Sequence, residues 1–185
     1  EVEEPRPYSE YIEWLGRQDR GKAEGYWRRA LAGFQSPTAL GVGGSRSGRV
    51  GYASRRMRLS EEMSERLRAV GREYQLTLNT IVQGAWGALL SCYSGEDDVV
   101  FGATVSGRES GLAGIERIVG VFINTLPVRV RVRGEEEVAW WLKRLQEEQV
   151  EARQYEYSSL PEVQKWSEIG AGERLFESLV IYENY

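Results

Sequence analysis

The chain has 185 residues, 41% of them hydrophobic and 28% charged, with a net charge of −4 and no histidine. That length fits one domain or one large subdomain with a real core, and the composition is that of a soluble globular protein. The acidic balance gives no bulk support to a nucleic-acid surface, and no apolar run nears the roughly 20 residues that span a bilayer. A single cysteine, Cys92, excludes an internal disulfide and fits a reducing compartment. No secretory signal opens the sequence. The expectation is therefore a cytoplasmic protein with no membrane or nucleic-acid partner.

In chain order, Pro7 sits where a helix can begin, and Tyr11, Trp14 and Leu15 share one face at helical spacing. Asp19 can cap a second helix whose apolar stripe is Ala23, Tyr26, Trp27, Ala30 and Leu31. The composition of residues 35–51, SPTALGVGGSRSGRVG from Ser36 on, predicts a surface loop; with the residues just after it, this part of the chain concentrates Arg46, Arg49, Arg55, Arg56 and Arg58. Residues 53–59 alternate as a strand does. Ser60 can cap a helix using Met63, Leu67 and Val70. The next helix, about 78–93, carries Ile81, Val82, Ala85, Trp86, Ala88, Leu89, Leu90 and Cys92 and leaves almost no polar face. Such a helix is predicted to be buried all round, with Cys92 as a small hydrophobe. Thr77 or Asn79 can satisfy its first amides, and Gly84 and Gly87 permit close packing.

A strand then runs from Val99 to Ser106, and a second apolar run from Val119 to Leu126 is read as a strand through Asn124. Val128, Val130 and Val132 alternate with Arg129, Arg131 and Arg133 as in a half-exposed strand, and Pro127 puts that element at a sheet edge or a break in pairing. A long helix is predicted over 135–152, with acids in its first turn and Val138, Trp141, Leu142 and Leu145 inward. Trp140 and Trp141 cannot both face one core. After a less regular stretch, 179–182 reads as a last strand. Helices interleaved with strands give α/β.

The chemistry is concentrated in residues 99–132, VVFGATVSGRESGLAGIERIVGVFINTLPVRVRV. The polar pair Asn124-Thr125 between apolar neighbours must find hydrogen-bond partners or face a cavity. This segment resembles the core of nonribosomal peptide synthetase condensation domains, where a strand ending in V(S/A)GR is followed by G-x-F-x-N-T-L-x-x-R. Gly120, Phe122, Asn124, Thr125, Leu126 and Arg129 match position for position. Further blocks occur in the family's order: Tyr8-Ser9-Glu10-Tyr11 with Trp14, Tyr26-Trp27 with Leu31 and Gly33, Tyr93-Ser94-Gly95-Glu96-Asp97-Asp98, Gln154-Tyr155-Glu156-Tyr157, and Leu175-Phe176-Glu177-Ser178 running on to Tyr185. Together they cover nearly the whole chain.

The resemblance implies one lobe of the chloramphenicol-acetyltransferase-like (CoA-dependent acyltransferase) fold, a mixed sheet flanked by helices. Residues 1–185 are then expected to be a C-terminal lobe cut at both ends. The family's catalytic HHxxxDG motif is missing from a chain without histidine, so the fragment alone is expected to be inactive. It also implies amide-bond formation between two carrier-protein thioesters. No cofactor is bound by the domain itself, and 4'-phosphopantetheine arrives on the partners. Those partners are an upstream lobe, donor and acceptor peptidyl carrier proteins, and a neighbouring adenylation domain.

Asn124 is the candidate catalytic residue, able to orient substrate or bond the intermediate, against an alternative role in tying strand to backbone. Arg108, Asn124 and Thr125 are candidates for the substrate tunnel. Arg55, Arg56 and Arg58 are candidates for contact with the other lobe, as are Tyr155 and Tyr157. Asp97-Asp98 has no histidine or cysteine at ligand spacing and reads as a solvated turn, so no metal is expected. Rival readings are an epimerisation or cyclisation relative, against which the intact N-T-L argues, and a non-catalytic module that docks carrier proteins.

Overall fold

The computed structural model describes residues 4–40, 51–108, 111–170 and 172–183. Its centre is β1 (Asp98–Val105), whose Val99, Val100 and Phe101 are completely buried. Burying a side chain of that size contributes about 1.5–3 kcal/mol, and an uninterrupted apolar run is what a strand covered on both faces requires. β2 (Asn124–Arg131) pairs antiparallel with it, Asp98 opposite Arg131 and Val105 opposite Asn124. The short β3 (Leu179–Val180) pairs parallel on the other side, so the sheet is mixed with order β2-β1-β3. Pro127 lies on an edge strand, opposite Gly102, where its missing N–H costs the ladder nothing.

Helices cover both faces. On one, α4 (Leu78–Ser94) and α5 (Val138–Arg153) bring Leu90, Trp86, Trp141 and Leu145 onto Val99, Phe101, Val128 and Val130. Gly84 and Gly87 are small because Leu142 of α5 and Val130 of β2 press against them, leaving no room for a Cβ. On the other face, α2 (Arg20–Ala30) and α6 (Leu160–Trp166) pack Ala23, Tyr26, Trp27 and Val163 around Val100. α1 (Ser9–Gly16) joins a third cluster of Tyr11, Ile115, Ile118 and Phe122. α3 (Glu61–Tyr74) completes the order. The caps are the expected ones: Asp19, Ser60 and Thr77 accept from Lys22, Met63 and Thr80 backbone N–H groups.

Several expectations are corrected. Residues 53–59 are exposed and form no strand; the alternation is real, but they pair with no strand among the described residues. The strand expected through Asn124 begins there instead. Before it, Phe122 is buried while Val119, Val121 and Ile123 are exposed. α4 is not apolar-and-buried all round: Val82, Ala85, Leu89 and Cys92 line its outer side in solvent, while Thr80, Gln83 and Ser91 are buried. α5 starts at Val138, so Glu135 and Glu136 precede it rather than occupying its first turn. The 35–51 loop is not all surface, since Thr38 is buried and its hydroxyl accepts the Val100 N–H at 2.8 Å. Arg46 and Arg49 lie outside the described residues. Of the tryptophan pair, Trp141 points inward and donates to the Arg131 carbonyl at 2.9 Å, and Trp140 is exposed.

Candidate functional site

The V-S-G-R end of β1 and the start of β2 meet in one neighbourhood, because antiparallel pairing sets Val105 opposite Asn124. Gly107 has φ +66, and a Cβ there would fall 1.9 Å from the Phe122 carbonyl oxygen. Only glycine both adopts that conformation and permits the approach. The turn delivers Arg108 onto Phe122, its guanidinium 4.2 Å from the ring centroid, while Nη1 donates to the carbonyls of Ile115 (3.0 Å) and Ile118 (3.4 Å). Arg108 thereby fastens the 115–122 connection.

Asn124 fastens a different loop. Its Nδ2 donates to the carbonyls of Glu156 (2.8 Å) and Ser158 (2.7 Å), and its Oδ1 accepts the Thr125 N–H at 2.8 Å. Both donors are thus committed to the turn between α5 and α6, and Thr125 contributes its backbone. The same turn is held from the far side, where Trp27 Nε1 donates to Ser158 Oγ at 3.0 Å in a buried bond. Tyr155 stacks on Tyr26 at 4.5 Å, and Tyr157 meets Trp14 edge-on at 6.1 Å and donates to the Asp19 carbonyl. An aromatic chain Phe122–Tyr11–Trp14–Tyr157–Tyr155–Tyr26 therefore links Arg108 to the turn. Burial pushes the Tyr11, Tyr26 and Tyr157 hydroxyls above their ordinary range, so all three stay protonated.

Between this turn, the sheet and the first turns of α4 lies a cavity of about 210 Å³. Thr104, Val105 and Ser106 of the strand end line it, with Leu126, Glu156 and Tyr182, and with Asn79, Gln83 and Gln149 from the two helices. Glu156 is only 5% exposed. A second cavity of about 260 Å³ lies between α2, β2 and α5, lined by Arg29, Arg131, Glu148 and Glu151 among others. Burial raises the Glu148 carboxyl above its usual range, against the pull of Arg144, Arg131 and Arg129.

The sequence-predicted residues thus divide. Asn124, Thr125, Tyr155 and Tyr157 are brought together around one turn, and Arg108 holds the 115–122 connection beyond the aromatic chain; none of the five is among the residues that line the cavity, Thr125's expected tunnel place included. Arg55, Arg56 and Arg58 are not brought there; they are exposed and, among the described residues, no partner pairs with them. Asp98 is corrected from solvated turn to structural anion: Arg129 binds it bidentately at 2.8 and 2.6 Å, and Arg131 approaches to 3.6 Å. Arg129 also donates to the carbonyls of Ala30 and Ala32, closing the end of α2. Sequence reading took Asn79 only as an alternative cap to Thr77 and missed Gln83 and Gln149; the available signal was a glutamine, Gln83, inside an otherwise apolar helix. Among the described residues no group of three or more acidic, histidine or cysteine side chains could hold a metal, and no helix is long and apolar enough to cross a membrane.

A profile of the condensation domain matches residues 1–185. The chain belongs to the condensation-domain family. Over 184 residues it is 51% identical to a linear gramicidin synthase polypeptide of Brevibacillus parabrevis, and over 186 residues 38% identical to bacitracin synthase 3 of Bacillus licheniformis. These alignments cover 97% and 100% of the chain but only 2% and 3% of those synthases. Among solved structures, the first condensation domain of the calcium-dependent antibiotic synthetase in complex with a substrate analogue superposes with a TM-score of 0.70 at 23% identity, over 91% of this chain and 36% of that one. The X-domain from teicoplanin biosynthesis gives 0.71, also at 23%, over 92% and 39%. The condensation-domain lobe fold is thus shared across both, and the expected mixed sheet flanked by helices is the one observed.

Proposed function

We propose that this chain is the C-terminal lobe of a condensation domain and forms one wall of its substrate tunnel. In the complete domain, an acyl or peptidyl group moves from the thioester of a donor carrier protein to the amine held by an acceptor carrier protein. The new amide bond forms as the carbonyl–sulfur bond breaks, and the amine's proton leaves with the departing thiol. The observation that carries the reading is the family match over residues 1–185 together with the cavity at the V-S-G-R strand end. That cavity combines an apolar floor with hydroxyl, amide and carboxyl groups, which suits a tethered acyl-amide chain.

The residues take distinct parts in this reading. Ser106, Glu156 and Tyr182 line the path. Asn124 is a positioning residue, because its own donors hold the turn that carries Glu156. Arg108 holds the 115–122 connection that precedes β2. With no histidine in the sequence, the proton-transfer residue comes from the other lobe, which Arg55, Arg56 and Arg58 are free to meet. Phosphopantetheine reaches the cavity on the carrier proteins, delivered from a neighbouring adenylation domain's module, and the chain needs no cofactor of its own.

The test is reconstitution. This chain is mixed with a separately made histidine-bearing lobe and two loaded carrier proteins, and the amide product is measured. Product requiring both lobes supports the reading. Confirmed lobe association without product would instead favour the non-catalytic docking module.

A further inference from the structure

α4 and α5 are joined by a partly buried run of amide and hydroxyl side chains that ends at the cavity. It starts at backbone. The Thr77 N–H donates to Gln146 Oε1 at 2.8 Å, and Gln146 Nε2 donates to the Gln75 carbonyl at 2.9 Å. The Thr80 N–H donates to Thr77 Oγ1, so the Thr77 hydroxyl hydrogen is left for Thr80 Oγ1, 2.8 Å away. Thr80 Oγ1 lies 2.8 Å from Gln149 Oε1 and 3.2 Å from Gln146 Oε1; the shorter distance is that of an O–H···O bond, so its hydrogen goes to Gln149. That fixes the Gln149 amide, whose Nε2 donates to Gln83 Oε1 at 2.9 Å, and Gln83 Nε2 donates to Asn79 Oδ1 at 2.9 Å.

The run therefore has a direction. Each acceptor is consumed by the donor before it, which settles amide orientations that are otherwise interchangeable. Its last member, Asn79, has its oxygen occupied. Its Nδ2 has no partner among the described residues, and Asn79 is one of the residues lining the 210 Å³ cavity.

We propose that Asn79 is a specificity-determining residue of this cavity, presenting a fixed N–H that donates to an acceptor oxygen, such as a carbonyl, of the bound acyl-amide chain. The inference rests on the tunnel reading above. Groups able only to donate, such as an ammonium, are disfavoured at that point because Asn79 cannot offer its oxygen without reversing every amide back to Gln149.

The experiment uses this 185-residue chain, 15N-labelled, titrated with an N-acetyl-alanyl-pantetheine in which the thioester sulfur is replaced by NH. Asn79→Asp keeps the shape and suits the second position of a helix, where the dipole favours an acid, so the variant folds. Gln149→Glu leaves residue 79 alone but forces Gln83 and then Asn79 to turn round, pointing Oδ1 into the cavity. The expected result is a downfield movement of the Asn79 side-chain N–H signals on binding, and a loss of affinity of roughly tenfold or more in each variant. Binding by wild type with Asn79→Asp within twofold of it overturns the inference and leaves the tunnel reading standing. Failure of the wild-type chain to bind the probe overturns the tunnel reading, and the inference with it.

Discussion

Replacing Asn124 separates a clamp from a free polar group. In the folded chain its Nδ2 satisfies the Glu156 and Ser158 carbonyls at 2.8 and 2.7 Å, and its Oδ1 satisfies the Thr125 N–H. Each net hydrogen bond contributes about 0.5–1.5 kcal/mol, and a buried acceptor left without a donor costs about 1–3. Asn124 is half-buried, so water recovers part of the loss, and Asn124→Ala is expected to cost about 2–3 kcal/mol. For a chain of this length that lowers the melting temperature by roughly 4–12 °C. Asn124→Asp is expected to cost more than Ala, because it aims a carboxylate at two carbonyl oxygens where the amide had donated. Urea unfolding followed by tryptophan fluorescence, for which buried Trp27 beside Ser158 is a reporter, gives the order wild type, Ala, Asp. An Asp variant at least as stable as Ala, or an Ala variant within about 0.5 kcal/mol of wild type, would refute the clamp.

Arg129→Lys is expected to cost about 2–3 kcal/mol in the same assay, since one ammonium cannot replace a fork that binds Asp98 twice and the Ala30 and Ala32 carbonyls besides. Gly107→Ala is expected to unfold at lower temperature by a margin equivalent to about 2 kcal/mol or more, from the positive φ and the clash with Phe122. Glu148→Gln tests the pH dependence. Burial raises the folded-state carboxyl, so its protonated form supports folding below the unfolded carboxylate range and that support is lost as pH rises through the raised value. Thermal scans should show the Gln variant more stable than wild type at pH 7 and equal to it near pH 4; the opposite trend would refute the assignment.

What the sequence made legible follows from how local the physics is. Asp19, Ser60 and Thr77 act within three residues of themselves, and the structure shows each cap where the residue type places it. Val99-Val100-Phe101 reads as a buried strand because no surface tolerates it. By contrast, the outward face of α4 looks apolar in sequence whether or not something covers it, and Cys92 follows its helix into solvent. The 53–59 alternation specifies a strand only if an edge is present to pair with. Asp98 found its role through Arg129, 31 residues away, and the Thr80–Gln149–Gln83–Asn79 run spans two helices. Such pairings depend on register between elements, which periodicity does not report. Asn124 was visible as a residue needing partners; which partners required the turn at 156–158.

The most direct measurement of the central claim compares two cavity-blocking variants in the reconstituted assay. Ser106→Trp fills the cavity at the end of β1, and Arg29→Trp crowds the far side of the neighbouring cavity beside α2; both positions are exposed, so both variants fold. Ser106→Trp is expected to associate with the histidine-bearing lobe but to yield no amide product, while Arg29→Trp turns over as wild type does. Full product from Ser106→Trp, or its loss only in Arg29→Trp, would contradict the assignment of the tunnel wall.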